Sequence, residues 1–278
     1  MRRLSSLVAA FALAALVACG AAAGPTALQR ATWKGEARVA SARNDFAACA
    51  TALENARLHY DAAACHARAG HPDLAFAALE RAPARDLIFL DVDPDLAPLR
   101  TDARWPAAHA RLAKRVADFR ATVNAELVEL YLNDQTDRMV DNIDWNVIGP
   151  RDREREARAT AILAAGRAKA ADDYFHIAMI LQHSHAEDAT THARELCLKA
   201  IALDPHFDAA RWLAAAALDR SLMNANKPQK YGTQYQRNGD GPWVLWDVDP
   251  ATTDLERAEW NVPPLAAAKA HAEAMNAK

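Results

Sequence analysis

Alanine is the feature that most constrains this chain: 68 of its 278 residues are alanine and only 9 are glycine. Alanine is the best helix former, and glycine is the worst apart from proline. The bias predicts an all-α protein. With 51% hydrophobic and 25% charged residues, the chain can bury a core, which excludes global disorder. Its length allows one large or two modest domains. A net charge of −3 excludes a broadly basic nucleic-acid binder.

The first residues read as an address. Arg2 and Arg3 form a short basic region, and residues 7–18 form an apolar run too short to span a bilayer. The run ends in Leu16-Val17-Ala18-Cys19-Gly20. This resembles the lipobox of bacterial lipoproteins. The resemblance implies a diacylglycerol on the Cys19 thiol, cleavage before Cys19, and anchoring through several acyl chains. Gly20 in place of an aspartate resembles the pattern sent to the outer membrane, so the expected address is its periplasmic face. The alternative is cleavage after Ala21-Ala22-Ala23, which would release a soluble periplasmic protein. Without residues 1–18 the balance is 31 basic against 36 acidic residues, giving no reason to expect anionic-lipid binding.

Three further cysteines follow, and their spacing fits no zinc or redox motif. Cys49 and Cys65 are sixteen apart, a separation that could bridge neighbouring antiparallel helices in an oxidising compartment. They could equally be two small buried residues on alanine-rich helices. Cys197 is then alone.

Helical patterning starts near Trp33, after a tether over 19–30. Gly70-His71-Pro72-Asp73 reads as a turn, followed by Ala75, Leu79 and Ala82. A first helix from about His59 to Ala69 would precede it, with Ala62 and Ala63 at small inner positions. Ala193, Cys197 and Ala200 repeat the spacing, and Asp204-Pro205 ends that helix before another begins near Phe207. Both segments resemble tetratricopeptide repeats, although neither carries the full consensus. Leu96, Leu99 and Trp105 are expected to cover the open end of the first stack. Residues 107–132 read as one helix, with Leu112, Val116, Phe119, Val123, Leu127 and Leu130 at helical spacing. Thr253 and Glu256 form a capping box, and Pro263-Pro264 open a last helix to about Met275.

Two stretches, 126–156 and 226–250, contain no alanine at all. They are polar and aromatic, and they read as two long polar loops in a C-terminal helical domain. Asp134-Gln135 with Arg138, then Gln182-His183, Asp219-Arg220, and Gln229-x-Tyr231-Gly232-Thr233-Gln234 occur in that order. Here the chain resembles a bacterial domain of unknown activity that is recognised by its Tyr-Gly-Thr-Gln signature. The resemblance covers about 125–265. The chain departs from it by lacking a Gly-Trp-Pro segment before the histidine; Gly166-Arg167 stands near that place.

The residues themselves permit three readings. Asp134, Gln135, Arg138, His183, Asp219, Arg220, Gln229, Tyr231 and Gln234 could converge, with Arg138 paired to Asp219 or Arg220 to Asp134. Converging polar groups need mutual hydrogen bonds or a ligand. They could lock a loop onto helices, bind a peptide or glycan fragment, or supply His183 as an acid or base near neutral pH. Gly232 is expected to permit a turn that side chains resist.

His176, His183, His185 and His192 invite a metal reading. On one helix His185 lies about 200° from His183, and no motif completes a site, so no metal and no cofactor are expected. The run holding Arg151, Arg153, Glu154, Arg155, Glu156 and Arg158 reads as a solvated helix start. Trp243 and Trp246 could stack a sugar or pack a long loop.

The expected organisation is a signal peptide over 1–18, the tether over 19–30, a tetratricopeptide-like unit over 31–120 and a C-terminal helical domain over 121–278. The leading expectation is an interaction or scaffolding module held to the membrane by its N-terminal lipid, with an envelope protein or peptide as partner and no nucleic acid. The alternative is a hydrolase-like enzyme acting on an envelope peptide or glycan through the groups around His183 and Tyr231.

Overall fold

A computed structural model describes residues 24–140, 142–184 and 188–277. The expected signal segment over 1–18, Cys19 and His185 lie outside the described residues. The described chain is mostly helical, with one small sheet. Helix α1 (Ala27–Ala42) opens on a Thr26–Gln29 capping box. Helices α2 (Phe46–Ala56), α3 (His59–Arg68) and α4 (Pro72–Arg81) follow, each packed on the one before. Ala62, Ala63, Ala75, Leu79 and Ala82 are fully buried, as the repeat spacing predicts. Methyl side chains at these contacts let the helix backbones approach, and Leu79 fills the remaining space.

Cys49 on α2 and Cys65 on α3 are joined by a disulfide with Cα atoms 6.0 Å apart. Closing a loop of this length is worth about 3 kcal/mol. Reduction, or the Cys49→Ala/Cys65→Ala double variant, is therefore expected to lower the melting temperature by several degrees. An unchanged melting curve would show that α2 and α3 hold together without the bond.

After α4 come two 3-10 turns at Asp86–Phe89 and Pro94–Leu96, the short α5 (Ala97–Arg100) and α6 (Trp105–Arg120). Leu87, Leu90, Leu96, Leu99 and Leu112 join Leu79 in one buried cluster, with half-buried Trp105 against it. The end of the stack is thus covered, as expected.

The single helix expected over 107–132 is two. Helix α6 ends at Arg120, and α7 (Ala125–Thr136) begins after Asn124. The Asn124 side chain accepts from the N–H groups of Glu126 and Leu127 at 3.1 and 3.2 Å, while its own N–H donates to Asp173 at 2.7 Å. An N-cap with a tertiary partner outcompetes helix continuation at that point.

Helices α8 (Trp145–Ala164), α9 (Ala171–Gln182), α10 (Ala189–Leu203) and α11 (Asp208–Asn224) form the second half. Helix α9 packs on α7, α8 and α10, and α10 packs on α11. Ala193, Cys197 and Ala200 are fully buried between them. Among the described residues of the first alanine-free stretch, only 137–140 and 142–144 lie outside helices. The second holds the antiparallel pair β1 (Tyr235–Gln236) and β2 (Val244–Leu245), with Tyr235 opposite Leu245.

Helices α12 (Asp254–Glu259) and α13 (Leu265–Met275) end the chain. Both pack against α1. Gly35 makes that approach possible, because a Cβ there would stand 2.6 Å from the Ala267 methyl. The chain therefore returns upon its own start. No helix among the described residues is long and apolar enough to cross a membrane.

Candidate functional site

The Tyr231–Gln234 segment is held by one buried carboxylate. Asp219, on the inner face of α11, is fully buried. One of its oxygens accepts from the N–H groups of Lys230 and Tyr231 at 2.8 and 2.9 Å. The other accepts from the Thr233 N–H at 3.0 Å and the Thr233 hydroxyl at 2.8 Å. Gly232 sits at φ +88°, which lets the loop fold around the carboxylate.

Gln229 makes a second clamp. Its amide oxygen accepts from the Gln234 N–H at 2.8 Å, and its amide nitrogen donates to the carbonyls of Gln234 and Trp246 at 3.0 and 2.8 Å. Arg257, fully buried, donates to the carbonyls of Tyr231 and Thr252 at 2.9 and 2.7 Å. Residues 229–234 thus make a loop whose backbone is held by the side chains of Asp219, Gln229 and Arg257.

Asp134, Gln135, Arg138 and His183 meet elsewhere, where α7, α8 and α9 join. Asp134 is fully buried. It accepts from Gln135 Nε2 at 2.7 Å and Arg138 Nη1 at 3.0 Å, and its Oδ2 lies 3.1 Å from His183 Nδ1. Arg138 also donates to Asp152 at 2.8 Å. Arg155 binds Asp152 at 2.6 Å and Asp137 at 2.7 Å.

Arg155 is the residue that the charge-run reading misplaced, and Asp152 is a partner that reading did not name. Arg155 is buried, not solvated. The signal was present in the spacing: 152 and 155 fall on the stripe formed by Ile148, Ala159 and Ile162, which faces the core.

The expected charge pairs do not form. Arg138 pairs with Asp134 and Asp152, not with Asp219. Arg220 donates from Nε to Gln234 Oε1 at 3.1 Å and from Nη1 to the Gln182 carbonyl at 3.2 Å. The nine polar residues therefore make two networks, one around Asp134 and one around Asp219, with Arg220 reaching from the second towards the end of α9. Tyr231 is buried against Ala215 and Val262 and lines neither cleft described below.

Two clefts adjoin at this junction, and both are lined by His183 and Arg220. The first, of about 670 Å³, is walled by Arg138, Asp152, Glu156 and the exposed Trp145. The second, of about 410 Å³, is mostly apolar, with Met179, Trp212, Leu213, Trp243 and Met275 in its walls. His183 stands between them with Nδ1 engaged by Asp134. Ser184 beside it donates to Glu156 at 2.8 Å. His176 is not part of the site: it is buried, stacked on Tyr131 with ring centroids 4.5 Å apart, and burial pushes it down to about 3. Among the described residues no group of His, Cys, Asp and Glu side chains could hold a metal ion.

A second charged region lines the interior face where α1 meets the rest of the chain. Lys34 and Arg38 lie over the Trp212 ring at 5.5 and 5.2 Å. Asp61 on α3 is exposed and stands close enough to oppose the charges of both. Burial lowers Lys34 from 10.5 to about 7, with Arg38 adding to the effect against Asp61 and Asp208. Burial likewise raises Asp86 from 3.8 to about 7, helped by Asp61.

The two shifts act in opposite directions. Between about 7 and 10.5 the unfolded chain holds the Lys34 proton that the folded chain has lost, so stability rises with pH. Between 3.8 and about 7 the folded chain keeps the Asp86 proton, so stability falls as pH rises. Lys34→Met is expected to remove the alkaline rise and Asp86→Asn the acid-side fall, in melting temperatures measured from pH 4 to 10. Profiles parallel to the unaltered protein would overturn this assignment.

Comparison of the chain with protein-family models, curated proteins and solved structures finds no match.

Proposed function

We propose that this chain is a binding module of the bacterial envelope, held to the membrane by lipid on Cys19, that takes a peptide segment in the paired clefts at His183 and Arg220. The observation that carries this reading is the meeting of two clefts at the same two side chains, each combining apolar surface with a few polar groups. Pockets that combine an apolar lining with a few convergent polar groups are the usual form of ligand sites. The lipobox-like Leu16–Cys19 segment and the Cys49–Cys65 disulfide support an oxidising envelope compartment. The repeat-like α3–α4 and α9–α10 pairs and the Tyr-Gly-Thr-Gln loop act here as the scaffold that fixes the cleft walls.

One observation favours a second, enzymatic reading. Asp134 holds His183 Nδ1, and His183 lines both clefts, an arrangement suited to a general base. Against a site shared with Tyr231 stands the burial of Tyr231 away from both clefts.

Incubation of the purified protein with envelope-derived peptides, followed by binding and product analysis, separates the readings. Saturable binding that Trp145→Ala or His183→Ala weakens, with the peptide recovered intact, supports the module. Cleavage that His183→Ala abolishes replaces it with the enzyme. Binding insensitive to both variants moves the site off these clefts.

A further inference from the structure

We infer that the ligand is a peptide with a free C-terminus, its carboxylate on Arg220 and its last residue against the wall that Gln182 and Trp212 help to form; this rests on the binding reading above. Three unfilled requirements line the apolar cleft. Arg220 is half-buried, and both of its hydrogen-bond acceptors are neutral, an amide oxygen and a backbone carbonyl. Among the described residues no carboxylate lies within ion-pair distance of it, so its charge is met only by those two neutral oxygens. A guanidinium withdrawn from water without a counter-charge is costly, and its planar fork matches a carboxylate.

Gln182 is the second. It is 5% exposed, and its buried Oε1 accepts from nothing. The Trp212 indole N–H is the third, buried and donating to nothing. Buried polar atoms without partners are uncommon in folded proteins and need an explanation. Together the wall lacks an anion, a hydrogen-bond donor and a hydrogen-bond acceptor.

A chain terminus supplies all three in one short unit: carboxylate, peptide N–H and peptide C=O. Inorganic phosphate would satisfy Arg220, and its hydroxyl could donate to an amide oxygen, but it offers nothing to the apolar side chains of the wall. Met179, Leu213 and Met275 give the terminal side chain an apolar, adaptable seat. An apolar last residue is therefore favoured.

The test uses acetyl-Ala-Ala-X peptides with X as Leu, Met or Phe, each as the free acid and as the C-terminal amide. Binding is measured by calorimetry and by fluorine NMR of the fluorotryptophan-labelled protein. The acid is expected to bind at least about tenfold tighter than the amide, the worth of one charge-assisted contact, and to shift the Trp212 resonance. Arg220→Gln is expected to erase the difference between acid and amide. Because Arg220 also holds Gln234, the comparison of acid with amide on the unaltered protein stands without that variant.

Equal binding of acid and amide, with the Trp212 shift, overturns the free-terminus inference and leaves the binding module in place. Phosphate binding without binding of any peptide assigns Arg220 to a phosphate ligand and overturns the inference. If no peptide, sugar or phosphate perturbs Trp212 or Trp243, the binding reading itself falls.

Discussion

Replacing Asp219 with asparagine is expected to destabilise the protein almost as much as replacing it with alanine, by about 3 kcal/mol, or on the order of 10 °C in melting temperature. Both carboxylate oxygens are fully used as acceptors, one by two backbone N–H groups and the other by the Thr233 N–H and hydroxyl. An asparagine can offer only one oxygen. Whichever way its amide is turned, its NH2 group faces donors, and buried N–H groups lose their partner. Hydrogen exchange at residues 230, 231 and 233 would report the release of the loop directly. A near-native melting temperature for Asp219→Asn would show that the loop is held by Gln229 and Arg257 instead.

Asp134 is expected to behave differently. Asp134→Ala should cost about 3 kcal/mol, since it strands a buried contact of Arg138 and the partner of His183. Asp134→Asn should cost clearly less. Asp137 and Asp152 still oppose the charges of Arg138 and Arg155, and the asparagine oxygen can still accept from one neighbour. The ratio of the two losses, measured by denaturant unfolding, separates a charge requirement from an acceptor requirement. Equal losses for the two variants would mean that the charge of Asp134 is what the junction needs.

These two aspartates illustrate what was legible in advance. Both stood out as polar residues in a helical domain, Asp134 within an alanine-free stretch and Asp219 just after an alanine run. Their partners did not. The pairs Arg138–Asp219 and Arg220–Asp134 were reasonable by charge, yet Arg138 found its acids one helix turn away and on α8, while Arg220 found only neutral acceptors. Charge complementarity is sequence-wide, whereas a hydrogen bond is decided within a few tenths of an ångström. The first alanine-free stretch misled in the same way. Its polar residues resemble a loop, but Asp152 and Arg155 lie on the buried stripe of α8 and their polarity serves the junction with α7 and α9. Asn124 broke an otherwise continuous helical pattern because its backbone N–H found Asp173, forty-nine residues away.

The sequence by itself determined the helical class, the α3–α4 hairpin, the helix holding Ala193, Cys197 and Ala200, and the Thr253 capping box. Each depends on residues within one or two turns of one another, where spacing and propensity act directly. Only the tertiary structure decided that the C-terminal helices return to α1, that the polar residues form two networks, and that Arg220 and His183 stand between two clefts. Those outcomes depend on contacts between segments far apart in the chain. Many pairings there have similar local energies, and the packing of the whole molecule selects one.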